Sequence, residues 1–201
     1  MNVVCLDLEG VLVPEIWIAF AKETGIEELK LTTRDEPDYR KLMRYRMDIL
    51  DKHNFKLKDV QNTIAKIKPL DGALEFLDKL RENYQVVILS DTFSEFAAPL
   101  MQQLKWPTIL CNSLIVDETG RIVDIKLRQE DGKRRVIDAF KTLNYATFAA
   151  GDSYNDLNMI RKADYGCLFR APKKILEKEK DLKLCTTFDE FFDTIEGAFN
   201  D

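Results

Sequence analysis

The chain has 201 residues, 45% of them hydrophobic, with 30 Lys and Arg against 35 Asp and Glu, for a net charge of −5. That length suits one domain, with or without a small insert, and supports a sizeable core. The acid excess argues against nucleic acid as a partner, because phosphate backbones select for Lys/Arg excess, whereas a small anionic substrate needs only a few local cations.

In chain order, Val3–Leu6 is a short apolar run that reads as a strand. Residues 14–68 show no strand pattern and read as helices over Glu15–Glu23, Asp38–Lys52 and Leu57–Ile67. A helix over Asp71–Glu82 then precedes a strand at Gln85–Leu89, and a helix over Phe93–Leu104 precedes a strand at Thr108–Cys111. Leu114–Leu127 reads as a hairpin turning at Glu118-Thr119-Gly120. Helix Lys133–Leu143, strand Ala146–Ala150, helix Asn155–Lys162 and strand Gly166–Phe169 follow. The charged run at 173–183 reads as a solvated helix face, and Phe188–Phe199 as a closing amphipathic helix. Near-continuous apolar strands alternating with amphipathic helices predict an α/β fold with a doubly wound, mainly parallel sheet. The helical stretch divides the chain into a core of 1–13 and 69–201 and a cap of 14–68. Ligands bind open α/β sheets at the carboxyl end, where such an insert is a candidate lid.

Cys5, Cys111, Cys167 and Cys185 make no CxxC pair, and there is one histidine, so no zinc cluster is expected; buried, reduced thiols are. An acidic residue by position 7 is unlike a signal peptide, and no apolar run approaches the ~20 residues of a membrane span. These features predict a cytoplasmic protein with no membrane partner. His53, at the end of a predicted helix, reads as a C-terminal helix cation, and Trp17, Phe20 and Phe76 read as core.

Four strand ends carry chemistry. Asp7 and Glu9 follow the first strand; paired carboxylates there suit a nucleophile with an acid/base, or equally two solvated acids. Ser90 ends the next strand, with Asp91 and Thr92 after it; with the amides of a following helix it forms an anion cradle, or else caps that helix. Lys133 opens a helix against the macrodipole, which hints at a phosphate contact, with a solvated charge as the commoner reading and Arg134 and Arg135 as alternatives. In Gly151-Asp152-Ser153-Tyr154-Asn155-Asp156 the glycine allows a tight turn and the two aspartates offer hard oxygen ligands for magnesium. Taken in this order, the four supply the parts of phosphoryl transfer: nucleophile, clamp, charge neutralisation and metal.

Together these segments resemble the haloacid dehalogenase superfamily, and within it the phosphoserine phosphatase branch, including members that pass phosphate on to homoserine. The resemblance implies Asp7 as a nucleophile that becomes an aspartyl phosphate and Glu9 as acid/base. It implies Mg²⁺ held by Asp7, the Glu9 carbonyl and Asp152, with Asp156 supporting from behind. Ser90, Asp91, Lys133 and Asn155 would bind the transferring group. Glu15 would meet the substrate amine and Arg46 its carboxylate, with Arg44 as a rival. The expected partners are phosphoserine and homoserine. Two departures stand out: Glu9 occupies a position usually held by Asp, and Asp91-Thr92 stands where glycines are usual. Another small phosphometabolite as substrate is the nearest alternative. A phospho-accepting signalling module is a more distant one, because its acceptor follows the third strand and it carries no helical insert.

Overall fold

The computed structural model describes residues 1–33, 35–36 and 38–200. Strand β1 (Asn2–Leu6) is followed by the helical insert, consisting of α1 (Ile16–Thr24), a 3-10 turn at Glu27–Lys30, α2 (Tyr39–Lys52) and α3 (Leu57–Ile64). No strand occurs among the described residues of 14–68. The chain then forms α4 (Ala73–Asn83), β2 (Gln85–Phe93), α5 (Ser94–Gln103), β3 (Thr108–Val116) and β4 (Ile122–Lys126). It continues through α6 (Gly132–Thr142), β5 (Ala146–Gly151), α7 (Leu157–Lys162), β6 (Tyr165–Phe169), α8 (Lys173–Leu176), β7 (Lys183–Cys185) and α9 (Phe188–Asn200).

The seven strands form one sheet in the order β4-β3-β2-β1-β5-β6-β7, parallel except for β4. Period-two alternation divides the core between its faces. Val4 and Leu6 of β1 join one apolar cluster with Phe76, Phe96 and Phe191 of α4, α5 and α9. Val3 and Cys5 face the other way, against Val136 and Ile137 of α6 and Met159 and Ile160 of α7. Both faces are therefore covered, which is why the strands read as continuous apolar runs.

β1 is the central strand. The chain winds from it through β2 to one edge, then returns to place β5 on its other side. Such a reversal leaves a crevice at the carboxyl ends of β1 and β5, where ligands of doubly wound folds bind. The insert lies over that end. It is tied to the β3–β4 hairpin by the Leu57 amide donating to the Gly120 carbonyl at 2.9 Å and by Arg121 Nε donating to Asp51 Oδ1 at 2.7 Å. It is also tied to α5, through Gln61 Nε2 donating to the Glu95 carbonyl at 2.8 Å.

Two expectations need correction. The run 173–183 is not one helix: α8 is four residues long, buries Ile175, and gives way to β7, which pairs Cys167 with Lys183. The segment after Ser90 does not turn at once into a helix. β2 continues to Phe93, slipping in register against β3 between Leu89 and Phe93, and α5 starts only at Ser94. The four cysteines are free thiols, three of them buried, and no helix of the described residues is long and apolar enough to cross a membrane.

Candidate active site

Asp7 lies one residue past β1, and its amide still donates to the Ala150 carbonyl of β5 at 3.0 Å. Its side chain is buried, and Oδ1 accepts the Leu8 amide at 2.8 Å. Lys133, in the first turn of α6, reaches under the strand ends and places Nζ 2.9 Å from Asp7 Oδ1 and 2.7 Å from Asp156 Oδ1. The unfavourable macrodipole position is thus offset by two buried carboxylates. Burial works against the Lys133 charge, but Asp156 and Asp7 outweigh it and hold the ammonium well above its ordinary pKa.

Asp156 is fully buried yet well supplied with donors. Besides Lys133 it accepts the amides of Asp152 (3.1 Å) and Ser153 (3.0 Å) and the Ser153 hydroxyl (3.1 Å). Gly151 is required here for a different reason from the expected tight turn. A Cβ on it would stand 2.1 Å from Asp156 Cγ, so its role is to let that carboxylate close in. Gly10, at φ +79°, does the same for Asp152: an added Cβ would lie 2.4 Å from its Oδ2.

Oxygens of Asp7, Asp152 and Asp156 lie within 4.8 Å of one another, all three buried. Burial, then Asp156, push the Asp7 carboxyl well above the usual range, and Lys133 only partly counters them. Three buried carboxylates with one ammonium leave an excess of negative charge that a hard divalent cation would neutralise. The donor set therefore fits a metal site.

On the insert side, Glu9 Oε2 accepts the Ile16 amide at 2.8 Å. Burial, then the Glu15 carboxylate, push the Glu9 carboxyl up to about 7. Arg46 is buried with its guanidinium carbon 4.6 Å from the centre of the Trp17 ring; it donates Nη2 to the Leu31 carbonyl at 2.8 Å, and its Nε has no partner among the described residues. Burial lowers its pKa to about 10, against the pull of Tyr39, Glu9 and Glu15, so it stays cationic at neutral pH. Arg44, two residues away, is exposed. The helical turn thus brings Arg46 to the cleft and leaves Arg44 on the outer face.

One cleft brings together nine of the ten expected residues, Asp7, Glu9, Glu15, Arg46, Ser90, Asp91, Lys133, Asp152 and Asn155, while Asp156 lies behind it. Asn155 Nδ2 donates to Asp91 Oδ2 at 2.8 Å. The Thr92 amide donates to Ser90 Oγ at 3.2 Å. No helix N-terminus sits at Ser90; the β2 residues Ser90, Asp91, Thr92 and Phe93 line the cleft there. Trp17, read as core, also forms the cleft wall that carries Arg46. Sequence reasoning missed Tyr39, which lines the cleft from α2. A single tyrosine after a helix cap carries no local signal of this. The glycine after Glu9 was a usable sign of a close approach.

A doubly wound sheet with a buried aspartate, lysine and acidic pair at the β1/β5 switch is an arrangement suited to phosphoryl transfer. The haloacid dehalogenase-like hydrolase family model matches residues 14–161, and the chain belongs to that family. It is 58% identical over 190 residues to a phosphoserine phosphatase of Pseudomonas syringae pv. tomato, covering 94% of this chain and 80% of that one. It is 55% identical over 190 residues to the phosphoserine phosphatase ThrH of Pseudomonas aeruginosa, covering 94% and 93%. A solved structure described as a phospho-aspartyl intermediate analogue of phosphoserine phosphatase shares the fold at a TM-score of 0.72, with 24% identity over 92% of both chains.

Proposed function

We propose that the chain is a magnesium-dependent phosphoserine phosphatase that works through an aspartyl phosphate on Asp7 and also passes the phosphoryl group to homoserine. The observation that carries this reading is the buried Asp7 carboxylate at the switch point, 2.9 Å from Lys133 and packed against Asp152 and Asp156. Likeness to the two Pseudomonas phosphatases supports the substrate.

In the first half-reaction an Asp7 oxygen forms a bond to phosphorus as the bond to the serine oxygen breaks. Glu9, whose raised pKa keeps it protonated to near neutrality, gives its proton to the departing alkoxide. In the second half-reaction Glu9 takes a proton from the incoming hydroxyl. Its oxygen bonds to phosphorus while the Asp7 carboxylate is released. Water yields phosphate, and homoserine yields phosphohomoserine. Lys133 and the Ser90 hydroxyl hold the phosphoryl oxygens and balance their charge. Magnesium, held by Asp7, Asp152 and the Glu9 carbonyl, would supply further charge neutralisation there, with Asp156 fixing Asp152 and Lys133 in place.

The rest of the cleft suits a zwitterion. Glu15 offers a carboxylate to the ammonium group, and Arg46, which lines the same cleft, offers a planar guanidinium to the carboxylate. Segment 14–68 acts as the cap that roofs it. Its pairing with the β1 nucleophile sets this chain apart from a signalling receiver, whose acceptor ends a third strand.

The test is phosphate release from phosphoserine with Mg²⁺ by the wild type and by Asp7→Asn, which loses turnover; near-normal turnover in the variant overturns the mechanism. Adding homoserine and analysing products tests the transfer. If phosphohomoserine never forms, the phosphatase reading stands alone.

A further inference from the structure

The stretch Ser90–Thr92 is poorly held by the sheet. Pairing of β2 with β3 jumps from Leu89 to Phe93, and β1 pairs no further along β2 than Ile88. Side chains hold it instead, and they converge on one atom. The Asp91 carbonyl accepts Tyr39 Oη at 2.7 Å from the insert and Asn112 Nδ2 at 3.1 Å from β3. Asn112 is itself fixed, buried in the core with Oδ1 accepting the Arg128 amide at 3.0 Å. The Tyr39 ring stacks on Phe93, with centroids 6.4 Å apart at 23°.

The Asp91 carbonyl and the Thr92 amide belong to one trans peptide, so they point in opposite directions. Holding the carbonyl toward Tyr39 and Asn112 therefore aims the Thr92 N–H the other way, where it meets Ser90 Oγ. Ser90 and Thr92 are both buried at the cleft.

We propose that Tyr39 is a positioning residue for phosphate capture. From the insert, and together with Asn112, it fixes the 91–92 peptide so that the Thr92 amide donates to Ser90 Oγ and leaves the Ser90 hydroxyl proton for the phosphoryl oxygens. This rests on the reading that Ser90 holds phosphate. The insert then has two tasks on different parts of the substrate. Glu15 and Arg46 recognise the amino-acid end, while Tyr39 completes the phosphate end without touching the phosphate.

The test uses Tyr39→Phe, which removes the hydroxyl and keeps the ring against Phe93. Hydrolysis of p-nitrophenyl phosphate with Mg²⁺ is measured in the presence of inorganic phosphate and, separately, of serine. Loss of one buried hydrogen bond at the pivot is expected to weaken phosphate inhibition about tenfold, with serine inhibition changed less than about twofold on the same ground. A general loosening of the insert would weaken both in parallel, and that result overturns the proposal, as does unchanged phosphate inhibition. Asn112→Ala frees the same carbonyl from the other side and should reproduce the pattern. The double variant should add little, since both act on one atom. If the wild type does not hydrolyse phosphoserine, the substrate reading fails. The phosphate arm still tests Tyr39.

Discussion

The Glu9 carboxylate accepts the Ile16 amide at 2.8 Å, so the acid two residues after Asp7 also closes the N-terminus of α1. Glu15 stands at the N-cap position of that helix and makes no capping bond. The carboxylate proposed as acid/base is therefore hydrogen-bonded to the insert. A carboxylate in this position is costly when ionised, because burial and Glu15 push its pKa up to about 7 from 4.5. A pKa higher in the folded than in the unfolded chain means that stability is fully present below 4.5 and is lost as pH rises through 7. Glu9→Gln keeps the oxygen that accepts the Ile16 amide and removes the titration. In magnesium-free protein, the variant should gain on the wild type by on the order of 1–3 kcal/mol between pH 4.5 and 8. Urea unfolding at the two pH values measures this, and parallel curves would show that Glu9 ionises freely.

Shortening the same side chain separates its two tasks. In Glu9→Asp the carboxylate draws back toward the strand end and cannot reach Ile16. Loss of a helix cap costs roughly 0.5–2 kcal/mol, which lowers Tm by a few degrees in a chain of this size. Drawn closer to Asp7, the carboxylate is better placed for a water than for a bulkier alcohol. The share of phosphoryl groups going to water should rise when phosphoserine and homoserine are supplied together. Product analysis reads the ratio, and an unchanged ratio would detach acceptor choice from Glu9.

Arg46 and Arg44 give a matched pair of controls. Arg46→Lys loses both the fork and the stack on Trp17, and should raise KM for phosphoserine about tenfold or more with a smaller effect on kcat. Arg44→Lys lies on the exposed face and should stay within about twofold. Hydrolysis of p-nitrophenyl phosphate, which has no carboxylate, should be nearly unchanged in both. A parallel loss on both substrates in Arg46→Lys would mean that the side chain supports the cleft without recognising the carboxylate.

Much of this was legible in the sequence, because it rests on local pattern. Continuous apolar runs marked β1, β2, β5 and β6, and chemically loaded residues stood at the ends of the first three and at the start of α6. The misses depend on partners distant in sequence. β7 is three residues inside a charged run, too short for periodicity, and exists because β6 pairs with it. The extension of β2 past Ser90 is set by Phe93 pairing with Asn112. Tyr39 is drawn to the cleft by a carbonyl 52 residues away. The nearness of Asp7, Lys133 and Asp156 was inferred from chemistry, and only the fold supplied the distances.

Gly10 carries the last prediction, with Gly25 as its control. Both have positive φ, +79° and +73°. An alanine at either site bears the left-handed strain of about 1–2 kcal/mol. At Gly25 nothing lies within 4 Å of the new methyl, so Gly25→Ala should lower stability by that strain alone and leave magnesium activation unaltered. At Gly10 the methyl would stand 2.4 Å from Asp152 Oδ2, so the carboxylate must move. Gly10→Ala should therefore need at least about tenfold more Mg²⁺ for half-maximal activity, in line with the cost of disturbing a metal site's supporting contacts. Titrating activity and melting temperature against Mg²⁺ in the two variants separates these effects. Equal magnesium requirements in Gly10→Ala and Gly25→Ala would mean that Asp152 is not a ligand, leaving Asp7 and Asp156 as the remaining carboxylates of the site.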